Sequence, residues 1–194
     1  GEYAHFGHAR NTLEDSDSVS IMRSGKQLKA IHAWAGSGKL LILPPGGEWT
    51  LSTPGALTPY NIQMEQQSER GASRTAPLMV GNKALYVQAR GGVLRDFYYE
   101  YTSASYTSND LTLYAKHLFF NREITEVCYQ QEPDNLIWCV LDDGLLATLT
   151  YLPEQNICAW THHQTQGSFK SICTIPNRGY DELWCVVERA GTYF

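Results

Sequence analysis

The sequence lacks most of what would mark a membrane span, a nucleic-acid binder or a familiar active site. Its apolar runs, such as Leu40–Leu43 and Leu136–Leu141, fall far short of the roughly 20 residues that a membrane-spanning helix needs. The opening GEYAHFGHARNTLEDSD has no apolar signal core, so no secretory address is expected. Basic residues are too few for a general DNA-phosphate binder: 15 Lys and Arg stand against 20 Asp and Glu, a formal charge of -5. Gly36-Ser-Gly-Lys lacks the upstream glycine, the following Ser or Thr and the helix of a phosphate-binding loop. No Gly-x-Ser-x-Gly elbow is present for a serine nucleophile, and no Cys-x-x-Cys pair for a zinc site. Glu14, Asp15 and Asp17 lack the glycine and terminal glutamate of a calcium loop and read as a solvated turn.

What is present is short strands punctuated by turns. From Ile124 to Trp160 four apolar runs alternate with Glu-Pro-Asp-Asn, Asp-Asp-Gly and Pro-Glu-Gln-Asn, the chemistry of an antiparallel meander. The module recurs. Ile-Trp-Cys-Val at 137–140 returns as Leu-Trp-Cys-Val at 183–186, an offset of 46, and Val127-Cys128 returns as Ile172-Cys173, an offset of 45. Going backwards, Ala84-Leu85-Tyr86-Val87 with Gly91 and Gly92 precedes Leu136-Ile137-Trp138-Cys139 with Asp143 and Gly144 by 52, and Leu40–Leu43 with Gly46 and Gly47 lies about 45 earlier still. Four strands per period of this length predict an all-β, propeller-like array of about four antiparallel blades.

The predicted layout is one propeller domain, partial or four-bladed: a leading loop and strand at 1–25, then blades at 26–68, 76–120 and 124–162, and an incomplete blade at 168–194. Gln27–Trp34 is read as the first strand of blade 1, turned by Gly36-Ser-Gly, and 66–75 as a connecting loop. Leu111, Tyr114, Ala115 and Leu118 follow helical spacing and predict one short helix near 109–119. The leading strand, with Val19 and Ile21, is placed to complete the last blade and close a ring; a slice of a larger propeller would instead leave two open edges. Of the five cysteines, Cys128, Cys139, Cys173 and Cys185 hold equivalent repeat positions and are read as core packing in a reducing compartment, ahead of a disulfide or a metal site. Trp138, Trp184, Cys139 and Cys185 are expected to pack blade on blade.

Candidate chemistry is sparse. Glu132, Asp134, Asp142 and Asp143 could serve glycan cleavage only if two of them came within about 5 to 9.5 Å across a sugar, and all four stand where turn geometry already calls for acidic residues. His162 and His163 are adjacent and would point to opposite faces of a strand, so they do not make one metal site. No catalytic residue, cofactor or metal is expected. The interface candidates are Tyr98, Tyr99, Tyr101 and Tyr106, whose rings offer apolar area with a polar edge, and the His162-His163 tip.

The strings TPYNIQMEQQSERGAS (58–73), VGNKALYVQARGGVLRDFYYEY (80–101), TSNDLTLYAKHL (107–118), VCYQQEPDNLIWCVLDDGLLATLTYLPEQNICAW (127–160) and GYDELWCVVER (179–189) resemble, in that order, the propeller region of phage and prophage tail proteins of the nozzle, tail tubular and stabilisation type. The resemblance spans nearly the whole chain from about Phe6. Two departures stand out: such proteins are considerably longer, so the chain is expected to be a piece, and Thr161 stands where a basic residue commonly precedes the last His. The resemblance implies a noncatalytic virion component, self-assembling and packed against other tail subunits, lying near DNA in an assembled tail without reading its sequence. Its expected location is the virion tail, or the bacterial cytoplasm otherwise. The alternatives are a glycan-binding or glycan-cleaving tail module on the same scaffold, and a truncated prophage-derived intracellular interaction protein.

Overall fold

A computed structural model describes residues 30–37 and 39–194. They form an all-β, propeller-like array of four antiparallel sheets. Blade 1 holds β1 (Ala33–Ser37), β2 (Lys39–Leu43), β3 (Glu48–Ser52) and β4 (Gln63–Ser68). Blade 2 holds β5 (Leu78–Val80), β6 (Lys83–Val87), β7 (Leu94–Glu100) and β8 (Ser105–Thr107). Blade 3 holds β9 (Ile124–Gln130), β10 (Leu136–Leu141), β11 (Leu146–Leu152) and β12 (Ile157–His163). Blade 4 has three strands, β13 (Ser168–Asn177), β14 (Tyr180–Arg189) and the short β15 (Thr192–Tyr193). The strands of each blade are hydrogen-bonded in chain order, as in a meander. The leading strand with Val19 and Ile21, and with it the predicted ring closure, lies outside the described residues.

Alternation with period two gives every blade two apolar faces, and the faces meet in three seams. Leu41 and Leu43 of blade 1 pack on Ala84, Tyr86 and Phe97 of blade 2. Leu85, Val87 and Leu94 turn the other way and meet Val127, Ile137, Cys139 and Leu149 of blade 3. Cys128, Trp138, Val140 and Leu146 then face Ile172, Phe169, Leu183 and Cys185 of blade 4. Leu85, Leu94, Ile137 and Leu149 are fully buried, and each such side chain contributes about 1.5–3 kcal/mol of transfer free energy.

The glycines of two equivalent hairpins show how one blade hands over to the next. Gly92 and Gly144 both have left-handed φ, +58° and +85°. A Cβ on Gly92 would lie 2.2 Å from Arg122 O, just before blade 3 begins, and one on Gly144 would lie 2.5 Å from Ser168 Cβ, the first residue of blade 4. Only the smallest residue lets the entering chain cross that close to the turn.

Several local expectations are corrected. β1 starts at Ala33 and includes Gly36 and Ser37, which pair with Leu40 and Lys39, so two residues of the predicted Gly36-Ser-Gly turn belong to the strand. The 66–75 connector is partly structural: Ala72 is buried, bridges Gln88 and accepts a hydrogen bond from the His32 ring at its carbonyl (3.1 Å). β8 occupies Ser105–Thr107, where no strand is expected, because Tyr99 and Tyr106 pair across the ladder. The predicted helix shrinks to a 3-10 turn, Leu113–Ala115, followed by α1, Lys116–Phe119. Asp110 Oδ1 accepts from both the backbone N–H and the hydroxyl of Thr112. The tighter first turn leaves Tyr114 88% exposed while Leu111, Ala115, Leu118 and Phe119 go inward.

The 52-residue alignment of blades 2 and 3 holds for Gly92 and Gly144 but fails one strand earlier. Leu85 faces blade 3, whereas Ile137, its counterpart at 52, faces back to blade 2. The loop from Gln88 to Val93 is one residue longer than that from Leu141 to Leu145, so β6 and β10 match at 53. A shift of one residue exchanges the faces of a strand.

Candidate functional site

The tyrosine group divides by strand parity. Phe97 and Tyr99 share the blade 1 side of β7, Tyr101 follows in the turn just past the strand, and Tyr106 on β8 joins them: it stacks on Phe97 at 5.0 Å and meets Tyr99 edge-on at 5.3 Å. Tyr99 and Tyr101 are edge-on at 5.2 Å, and Tyr101 is 87% exposed. Lys39 Nζ lies 5.6 Å from the Tyr106 ring, reaching across from blade 1. Burial, then Tyr99 and Tyr101, push the Tyr106 phenol above its ordinary range. The result is an aromatic edge rooted in the first seam and open at Tyr101.

Tyr98 is not part of it. It faces blade 3, where Lys83 Nζ sits 3.9 Å from its ring centroid. The histidines separate as expected: His163 pairs with Leu146 and its ring lies 5.2 Å from Trp138 on the blade 4 side, while His162 pairs with Ala147 on the other face. Both are exposed.

The four turn carboxylates are not brought together. β10 separates Glu132 and Asp134 at one end from Asp142 and Asp143 at the other, a strand length of roughly 20 Å. Asp142 Oδ1 accepts the Glu123 N–H at 3.1 Å. Asp143 Oδ1 accepts the Leu145 N–H, and its Oδ2 lies 2.5 Å from Arg122 Nε. These contacts tie the turn to the chain entering blade 3. Among the described residues no group of three or more His, Cys, Asp or Glu is arranged to hold a metal ion, and no helix is long and apolar enough to cross a membrane.

All five cysteines are free. Cys128 and Cys139 are buried and Cys185 half-buried, as core packing requires, but Cys173 is exposed. Trp184, expected between blades, is 57% exposed, because its side of β14 has no neighbouring blade among the described residues. Cys139 is held above the ordinary thiol range by complete burial first, with Cys128 adding to it.

The polar groups that tie the seams together are not apparent from motifs. Glu48 is fully buried; it accepts from Tyr86 Oη at 2.7 Å and from the Ser68 hydroxyl. Arg95, also buried, acts within blade 2 instead, donating from Nε and Nη2 to Ser108 Oγ and O at 2.9 and 3.1 Å. In the next seam Asp96 accepts from Tyr151 Oη at 3.0 Å, from the Asn109 N–H at 2.7 Å and from Lys83 Nζ at 3.4 Å. A buried carboxylate survives only with such donors. Burial first, and the neighbouring carboxylate second, push both Tyr86 and Tyr151 well above the ordinary phenol range. The signal in the sequence was Arg95-Asp96, a charge pair between Leu94 and the aromatic run Phe97-Tyr98-Tyr99.

Beside the Asp96 cluster, a cleft of about 560 Å³ opens between blades 2 and 3. Lys83, Tyr129, Gln131, Asn135, Tyr151 and Glu154 line it, and Tyr129 donates to Asn135 Oδ1 at 2.6 Å. The fold and these seams define a propeller-like blade array with an aromatic edge. No protein-family model matches the chain, and no curated protein matches it.

Proposed function

We propose that the chain is a noncatalytic structural module of a phage or prophage tail, working as a rigid body that packs against other subunits. The observation that carries this reading is the continuity of its seams. Three consecutive blade interfaces are filled by buried side chains, and the first two are also crossed by tyrosine-to-carboxylate hydrogen bonds. Such a body resists deformation and presents its aromatic edge in one geometry, which is what an assembly surface needs. The ordered motif resemblance supplies the tail context. Mass spectrometry of tailed particles produced by the encoding genome is expected to find peptides of this chain; particles of complete tail composition without them would overturn the proposal.

The cleft between blades 2 and 3 favours a second reading, a glycan-binding module, since tyrosine rings beside Lys83, Gln131 and Glu154 suit a sugar's apolar face and hydroxyls. Purified chain on bacterial surface polysaccharides separates the two. The structural reading expects neither retention nor reducing ends. Retention lost in Tyr129→Ala would favour the glycan-binding module, and reducing-end release abolished by Asp142→Asn or Asp143→Asn would make the chain an enzyme.

A further inference from the structure

The two outermost blade faces are built like the faces inside the seams, yet no blade covers them among the described residues. On blade 4, Trp184 pairs with Cys173 and Ile175 with Glu182 across the β13–β14 ladder, on the side opposite Ile172 and Cys185, which meet blade 3. Trp184, Ile175 and Val186 are 57%, 46% and 41% exposed. The repeat shows what such a face takes. Trp138, 46 residues earlier, holds the same position on blade 3 and is covered by blade 4.

Blade 1 presents the opposite kind of face. Trp34 pairs with Ile42, on the side of β1 and β2 away from Leu41 and Leu43, and Leu40 shares that side. Trp34 is 71% exposed and Leu40 38%. In every seam a face of the blade 4 kind meets a face of the blade 1 kind, and no hydrophobic cluster of described residues joins blade 4 to blade 1.

We infer that the outer face of blade 4 docks on the outer face of blade 1 of a second copy of this chain, head to tail, so that two copies close a ring of blades. Neighbouring apolar side chains left in water on one sheet face favour association. The described residues of each copy hold four sheets, eight in the pair, within the four to eight blades that propellers typically use. Head-to-tail contacts either close or run on as filaments, and a two-copy ring satisfies both ends at once. The inference deepens the assembly reading and rests on it only in taking the chain to associate with itself.

The test is light-scattering mass of the 194-residue chain during size exclusion, over a wide concentration range. The expected mass is that of two 21.8 kDa chains. Trp184→Asp and Leu40→Asp should each weaken pairing at least about thirtyfold, as loss of an interface anchor does. Mixed together, the two variants should associate again, because each keeps the face the other has lost. Cys173 should be protected from iodoacetamide in the wild-type pair and react in Trp184→Asp. Both substitutions fall on exposed side chains, and unchanged circular dichroism shows that the variants fold. A one-chain mass throughout overturns the inference. So does pairing lost in Trp184→Asp but untouched by Leu40→Asp, which would put blade 4 against itself, and so does pairing indifferent to both. None of these outcomes alters the tail-particle or polysaccharide results that decide the proposed function.

Discussion

The seam between blades 2 and 3 and the seam between blades 3 and 4 share blade 3, yet they are held differently. The first combines the largest apolar cluster with Asp96, whose carboxylate receives Tyr151, Lys83 and Asn109. The second has a smaller cluster and ties at its rim: Glu126 accepts the Ile172 N–H, and Asp181 accepts from the backbone of Gln131 and Glu132. Position by position, Thr148 on β11 corresponds to Asp96 on β7, 52 residues apart, and both face the next blade. Thr148 Oγ1 is the one buried side-chain oxygen without a hydrogen-bond partner among the described residues. The same place in the repeat therefore holds a satisfied charge in one seam and an unsatisfied hydroxyl in the other. Burial is common to both, and the partner across the seam makes the difference.

The largest expected effect tests the apolar part of this contrast. Leu149→Ala, at a fully buried position between blades 2 and 3, should cost about 2–5 kcal/mol, read by urea denaturation. A cost below about 1 kcal/mol would mean that this seam is not packed as described. Next comes the polar tie. Tyr151→Phe leaves Asp96 with Asn109 and Lys83 as its remaining donors and should cost about 1–3 kcal/mol, whereas Thr148→Val, which removes the orphan hydroxyl at nearly constant shape, should be neutral or stabilising. Equal losses for the two variants would erase the distinction between satisfied and unsatisfied seams.

Alkali should act on all three seams, through Tyr86, Tyr151 and Cys128. Burial first, then Cys185 and Glu126, push the Cys128 thiol up to about 12 from an ordinary 9.0, and Tyr86 and Tyr151 are raised from 10.0. These groups ionise in the unfolded chain while still protonated in the folded one, so the folded state binds more protons. Their stabilising contribution is complete below about pH 9 and falls as pH rises through the folded-state values, by up to about 1.4 kcal/mol per pH unit for each group. Denaturation midpoints at pH 8 and 10.5 measure it, and a flat profile would contradict the burial of these side chains. Smallest is the Cys128→Ala effect on that slope, which runs from about pH 9 up to about pH 12 and is read most cleanly between pH 9 and 10, where the tyrosines have barely begun to titrate.

The turns show how much was legible. Asp142-Asp143-Gly144 marks the hairpin in sequence, and in the structure Asp143 and Gly144 make the turn that Arg122 and Ser168 approach. The equivalence of Trp138 with Trp184 and of Cys139 with Cys185 was legible too, because blades 3 and 4 repeat at one offset through the strand that carries them. The aromatic edge was legible as a cluster of tyrosines but not as a site. Tyr98 is adjacent to Tyr99 in sequence and opposite to it in space, since neighbours on a strand point to different faces.

By itself, the sequence determined strands, turns and the presence of a four-strand repeat, because alternation, Gly and Asp-Asn chemistry act over a few residues. Only the tertiary structure decided which apolar face meets which neighbour. Both faces of a buried blade are apolar, and one extra residue in the loop from Gln88 to Val93 exchanges them. It also decided where the buried charges go: Tyr86 finds Glu48 across 38 residues and Tyr151 finds Asp96 across 55, pairings that exist only once the blades stand side by side. Exposure of Trp184 with burial around its counterpart Trp138 has the same origin, since a side chain's burial is set by the next blade and not by its own strand.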